Sequence, residues 1–474
     1  MSKEENENFE TNKLAGKYTY RDTKLNAVSP TFCLAKWLQT TVTLYNGFTH
    51  SCHHPVQHKI EPEAVKKDPK ALHNTPIKFY ARKEMLEGIQ TKECNYCWNI
   101  ENLPDNHLSD RTYKSDVSWS KPYFDKVVAS GLGENINPTY MEVAFENTCN
   151  FKCTYCSPDV SSRLMEEIQA NGTYELSTMR LHDLNYLKQV GRFPIHRDDP
   201  NDYIDAFWKW WPELYQSLEV FRITGGEPLL SKHTWKVLDY IIENPRPDLV
   251  LAINTNMGVP RKLIDKLIEY TNKLQGKVKR FEIYTSCEAT GPQAEYIRYG
   301  MNYAEFVDNC TYFLKSTDDN IWLNFMITTN ILSVSTFKPF IQWLLDLRKD
   351  VQPDPLKTKE HRVRMMFSYI RWPQFLNLRI LPDNMKAHYA KEWTDFAASN
   401  SKSLDITRSD ALFSEEIDQI QRLVEFMESA DDDLEKNMKD FAMYHSQYDE
   451  RRNVNFDGTF PELVDFINEC HSKL

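Results

Sequence analysis

The sequence predicts an α/β chain: a partial (β/α)6 barrel, preceded by a cysteine-bearing module and followed by a helical C-terminal region. Two observations carry this expectation. Between about residues 138 and 380 short apolar runs alternate with amphipathic helical patterns, which implies parallel strands joined by right-handed crossovers. Polar signals then fall at the C-terminal ends of the apolar runs, where such folds place their chemistry.

Strands are expected over 140–145, 218–224, 249–255, 280–286, 321–328 and 363–369, with helices over 234–243, 261–274, 303–314 and 337–347 between them. Cys149 to Cys156 follow the first strand, Gly225-Gly226-Glu227-Pro228 follows the second, Asn254-Thr255-Asn256 ends the third and Ser286 ends the fourth. A long excursion over 159–217 holds one helix near 162–170 and a tryptophan-rich one at 203–215, with Trp208, Trp210 and Trp211. Aromatics at helical spacing are read first as packing on the sheet, and second as a stacking surface for substrate. The expected organisation is a disordered tail (1–27), an N-terminal module (28–120), the barrel (138–380) and the helical region (381–474).

Composition narrows the class. The 474 residues are 41% hydrophobic and 26% charged, enough for a large core and ordinary for a soluble globular protein. No run approaches the ~18 apolar residues of a membrane helix, and the polar, acidic N-terminus has no secretory h-region. A cytoplasmic protein with no membrane partner is the expectation. The net charge of -11, from 57 Lys+Arg and 68 Asp+Glu, disfavours a nucleic-acid partner, which would want a basic stripe.

Seven of the ten cysteines fall into two sets. Without an export signal, such clustering argues for metal or cluster ligation rather than disulfides. Cys287, Cys310 and Cys470 are left over and read as small buried thiols.

In Cys149-x3-Cys153-x2-Cys156 three thiolates can hold three corners of a cubane, leaving one iron open to an exogenous chelator. A structural zinc would need a fourth ligand; none is near, and His182 is the next candidate. With Tyr155 before the third cysteine and Ser157-Pro158 after it, the motif resembles the signature of the radical S-adenosylmethionine (SAM) superfamily. Gly225-Gly226-Glu227-Pro228 resembles that family's GGEP segment, which binds the amino group of the SAM methionine. Glu227 could steady that ammonium or cap the following helix. Ser286-Cys287-Glu288 with downstream Arg298 resembles the Ser-x-Asp motif and its arginine, which hold the methionine carboxylate; a guanidinium fork suits that group. Glu288 stands where Asp is commoner, and no role is assigned to it. Asn254 or Asn256 matches the place where relatives touch the ribose hydroxyls, or serves to turn the chain.

The resemblance implies an oxidoreductase chemistry. SAM chelates the open iron of a [4Fe-4S] cluster held by Cys149, Cys153 and Cys156, and one electron cleaves the sulfonium S–C5′ bond. The resulting 5′-deoxyadenosyl radical abstracts hydrogen from a substrate. A low-potential electron donor of flavodoxin or ferredoxin type is the implied partner.

The second set is Cys33, Cys52, Cys94 and Cys97. Asn46-Gly47 between two β-prone runs is a strong hairpin signal, and the hairpin would return Cys52 towards Cys33. Cys94-x2-Cys97, after a helix near 79–88, could complete a four-thiolate site. The pattern, with Cys33-x3-Trp37 at its entry, resembles the auxiliary-cluster domains called twitch and SPASM. The chain from about 30 to 380 resembles twitch-domain radical SAM proteins of phage and environmental sequences. That implies an auxiliary [4Fe-4S] cluster; a structural zinc is the rival reading, and His53 and His54 are read first as surface residues and second as substitute ligands. Such modules accompany peptide or protein substrates in similar enzymes. A small metabolite or nucleotide sugar is the alternative, and a non-catalytic iron–sulfur carrier or metal-stabilised binding protein is the alternative from another class.

Overall fold

The computed structural model describes residues 14–104, 106–133, 136–318, 320–351, 361–403 and 407–474. Among them the strands are β1 (Gln39–Thr43), β2 (Phe48–His50), β3 (His58–Lys59), β4 (Tyr140–Ala144), β5 (Lys152–Cys153), β6 (Tyr174–Glu175), β7 (Arg180–Leu181), β8 (Val220–Thr224), β9 (Arg246–Asn254), β10 (Val278–Ser286), β11 (Arg298–Tyr299), β12 (Trp322–Thr329) and β13 (Val363–Tyr369). The fold is mixed α/β with a large, mainly parallel sheet. All six strands expected from the sequence are present within a few residues of their predicted bounds.

The chain divides into two compact units. The first comprises Met1–Glu146, Pro194–Thr224 and Asp248–Leu251. Here β4 pairs in parallel with β8 on one side and with β1 on the other, and β1, β2 and β3 run antiparallel in succession. The alternation in β4 and β8 sends Met141, Val143, Phe221 and Ile223 into the core at full burial, while Glu142 and Arg222 meet across the strands. The helix Asp202–Ser217, capped by Asn201, packs Phe207 and Trp211 against Phe221. Trp210 and Trp211 are buried, so this aromatic face is core.

The β1–β2 turn carries Gly47 at φ +67°, where a Cβ would fall inside the Tyr203 ring. Glycine is therefore required there on two counts. The pairing of β1 with β4 was not expected, because strand partners so far apart in sequence leave no local signal. One further expectation is corrected. Residues 14–27, placed in the disordered tail, are helical, and Leu25 is fully buried with Phe32, Trp37 and Trp98; residues 1–13 lie outside the described residues.

The second unit comprises Asn147–Phe193, Gly225–Pro247 and Ala252–Leu474. Its strands β10, β12 and β13 are parallel neighbours, and the Thr255 N–H donates to Tyr284 O, setting the end of β9 beside β10. The helix Arg261–Leu274 matches its predicted span residue for residue. Four long helices follow or flank this sheet: Phe337–Val351, Asp383–Ser399, Ser414–Glu428 and Leu434–Arg452. Arg348 and Glu416 form a buried two-pronged ion pair that ties the first of these to the third. No helix among the described residues is long and apolar enough to cross a membrane.

Candidate functional site

Cys149, Cys153 and Cys156 lie on the loop between β4 and the helix Ser162–Asn171, and all three are half-buried. Local bonds shape this loop. The Cys149 N–H donates to Ser162 Oγ at 3.1 Å, the Phe151 N–H points at Cys149 Sγ at 3.5 Å, and Ser161 Oγ donates to Phe151 O at 2.7 Å. Burial pushes the Cys149 thiol up to about 12, helped by the neighbouring Cys153; Cys156 is raised by burial and by both other cysteines. Thiols that oppose one another's ionisation in this way are what a cationic cluster would relieve.

The glycine-rich segment closes on the same loop. The Glu227 N–H donates to Thr148 O at 2.7 Å, and a Cβ on Gly226 would lie 2.3 Å from that same oxygen. Only glycine permits this approach next to Cys149. Both Glu227 carboxylate oxygens are engaged, by the Leu229 N–H at 3.0 Å and the Asn256 N–H at 2.7 Å. The residue is buried, which pushes its carboxyl up to about 7 against the pull of those N–H groups. Pro228 opens the short helix that Glu227 caps, and Gly225 sits at φ +129°. Glu227 thus acts as a bracket between two loops.

Asn256 extends the bracket: its Nδ2 donates to Asn150 Oδ1 at 2.8 Å and its Oδ1 accepts from the Gly258 N–H at 2.9 Å. Asn254, half-buried at the end of β9, has Nδ2 4.0 Å from Met326 Sδ. Ser286 is the last residue of β10 and is half-buried.

Arg298 is placed beside Cys153 by strand pairing, since β11 runs antiparallel to β5 with Arg298 opposite Cys153. Its Nη1 lies 4.0 Å from Cys153 Sγ. The rest of the guanidinium is held by Glu288, at 2.5 Å from Nη2 and 3.2 Å from Nε, and by the Tyr155 hydroxyl. Tyr155 in turn donates to Glu288 at 3.1 Å. Burial raises Glu288 while the Arg298 charge pulls it back. The sequence reading assigned no role to Glu288, yet it anchors both Arg298 and Tyr155; an acid two residues after Ser286 was the available signal.

The remaining cysteines divide cleanly. Cys33, Cys52, Cys94 and Cys97 line one cavity in the first unit, together with Lys36, Trp98, Arg111 and Lys114. Burial pushes Cys97 up to about 12, with Cys33 and Cys52 adding to it. Lys36 is buried and ion-paired with Glu93. His54 is not part of this lining: it bonds Asp110 at 2.7 Å and stacks on Tyr96. His53 is exposed. Cys287, Cys310 and Cys470 are buried. Among the described residues, no three His, Cys, Asp or Glu side chains are gathered as ligands of a single ion, so the fit of each set is one of donor chemistry and placement.

The radical SAM superfamily profile matches residues 143–332. That span holds the three-thiol loop, the glycine-rich bracket and the Arg298 triad. These residues match a radical SAM domain. A curated relative, GTP 3′,8-cyclase of Pectobacterium atrosepticum, is 33% identical over 117 residues, covering 25% of this chain. The chain spans about a quarter of that relative, 26% of its length. Streptococcus suis SuiB bound to S-adenosylmethionine aligns over 72% of this chain and 75% of its own, with a TM-score of 0.29 at 14% identity. SuiB bound to its precursor peptide SuiA aligns over 66% and 61%, with a TM-score of 0.28 at 14% identity. The matched family implies a [4Fe-4S] cluster and SAM, and three soft thiol donors on one loop with no fourth suit that group.

Proposed function

We propose that the chain is a radical SAM enzyme whose cluster is held by Cys149, Cys153 and Cys156 within a partial barrel over residues 138–380. The observation that carries the reading is the convergence on one loop of three thiols, the Gly226–Thr148 contact and the Arg298 guanidinium. A bound [4Fe-4S] cluster with SAM supplies reductive cleavage of the sulfonium and a 5′-deoxyadenosyl radical that abstracts hydrogen. The chain's own residues do the rest. Glu288 and Tyr155 occupy Nε and Nη2 of Arg298 and so hold the guanidinium beside Cys153, with Nη1 as the edge left to meet the methionine carboxylate. Gly225 and Gly226 leave backbone open for the methionine amino group, and Asn254 or Asn256 is offered to the ribose. Glu227 keeps the glycine segment and the 254–256 segment in register.

The four thiols of the first unit are read as an auxiliary [4Fe-4S] site of the twitch kind, with structural zinc as its rival. Buried Lys36 on the cavity wall suits the negative charge of a tetrathiolate centre. An auxiliary site of that kind favours a peptide or protein substrate, served by a flavodoxin- or ferredoxin-type donor. A small-molecule substrate is the second reading, favoured by the local match to GTP 3′,8-cyclase.

The test is iron, acid-labile sulfide and zinc content after anaerobic reconstitution, wild type against the Cys149/Cys153/Cys156→Ala triple variant. About eight irons falling to about four supports two cubanes. About four falling to none, with one zinc retained, keeps the radical SAM site and makes the other set structural. Unchanged iron in the triple variant overturns the reading.

A further inference from the structure

The residues flanking Cys153 are held from a direction that the radical SAM motifs do not account for. Arg452 ends the helix Leu434–Arg452, and its side chain is fully buried. Its Nη1 donates to Lys152 O at 2.6 Å, while Nε and Nη2 form a two-pronged pair with Glu167 at 2.9 and 3.0 Å. Glu167 also takes the Lys152 ammonium at 2.6 Å and the Tyr174 hydroxyl at 2.7 Å. About two turns earlier on the same helix, the Tyr444 hydroxyl donates to Thr154 O at 2.9 Å. The carbonyls on both sides of Cys153 are therefore bonded to one distant helix. The Thr154 N–H in turn donates to O of Ile297, the residue just before β11, at 2.8 Å.

The charges in this knot are unequal. Two cations, Arg452 and Lys152, face the single carboxylate of Glu167, and the surplus positive charge lies next to a loop whose ligands would be thiolates. A buried pair whose only task is cohesion has no need of that surplus.

We propose that the helix Leu434–Arg452 is a clasp for the cluster-binding loop, with Arg452 and Tyr444 as positioning residues that fix Cys153 and Arg452 supplying compensating charge. The proposal rests on Cys149, Cys153 and Cys156 being cluster ligands, but its first measurement does not. Hydrogen exchange on the metal-free full chain should show amides 152–154 exchanging about tenfold faster in Arg452→Met, the scale of one lost charge-assisted bond, with the protection of β10, β12 and β13 retained. In the reconstituted protein, Arg452→Met should lower the reduction potential of the SAM-site cluster. Arg452→Lys should keep the potential near wild type while amides 152–154 stay fast, because it retains charge but loses the fork.

Unchanged exchange at 152–154 overturns the proposal. So does an equal potential shift in Arg452→Lys and Arg452→Met, which would assign the effect to packing alone. If Arg452→Met does not fold, Tyr444→Phe removes a single hydroxyl bond, and unchanged exchange of Thr154 in that variant overturns the clasp. Failure of the wild type to bind iron, with fast exchange still seen in the variants, would instead strike at the cluster assignment.

Discussion

Cys149, Cys153 and Cys156 share one loop, whereas Cys33, Cys52, Cys94 and Cys97 come from three segments that meet only through the β1–β2 hairpin and the helices around them. The first set sits on one loop shaped locally by bonds to Ser161 and Ser162 and steadied from farther along the chain by Glu227 and Arg298, whereas the second is placed by the core around Trp37 and Trp98. The difference teaches how each would fail. A loop-borne set can lose its metal while the fold survives, as suits a site that must exchange a cofactor. A set gathered by tertiary structure has its ligation energy coupled to folding.

The largest expected effect separates the two sets directly. The Cys149/Cys153/Cys156→Ala variant should make no detectable 5′-deoxyadenosine from SAM and dithionite, yet melt close to wild type. Cys94→Ser with Cys97→Ser should instead lower the melting temperature and open the first unit to limited proteolysis. Equal melting of the two variants would erase the distinction.

Glu288→Ala sharpens the contrast within the loop-borne set. It strands the buried Arg298 charge, so a destabilisation of about 3–5 kcal/mol is expected by denaturant unfolding. Iron at the four-thiol set should be untouched. Gly226→Ala comes next: the added Cβ must displace Thr148 O, 2.3 Å away. A cost of about 1–3 kcal/mol and a selective loss of about four irons per chain are expected, read by iron content against zinc or residual iron.

The smallest effect concerns pH. Glu227 has its carboxyl raised from 4.5 to about 7, so the stability that it contributes is full below pH ~4.5 and is lost as pH rises through 7. Unfolding of the metal-free chain by urea should show a decline of about 1–3 kcal/mol between pH 5 and 8, flattened in Glu227→Gln. A wild-type profile parallel to the variant's would show that the bracket does not titrate.

Most of the parallel strands were legible because buried parallel strands read as apolar runs, as β12 does. Strand β9 begins earlier than expected, at Arg246, because its first residues are partly exposed and carry no apolar pattern. The full length of the helix Leu434–Arg452 was not legible because its inward residues include His445, Tyr448 and Arg452, which a hydrophobic period does not register. The three-thiol loop was legible from spacing alone. The Glu288 anchor was half legible, as an acid in the right place. The clasp was not legible at all: nothing in the residues near Arg452 points to Lys152.

That separation sets an order of events in synthesis. Lys152 and Arg452 are 300 residues apart, and at ~5–20 residues per second the thiol loop waits about 15–60 s for its partner to be made. On the ribosome the loop is present but unfastened. The clasp closes only after Arg452 has emerged, so a cofactor installed in its final setting is installed late.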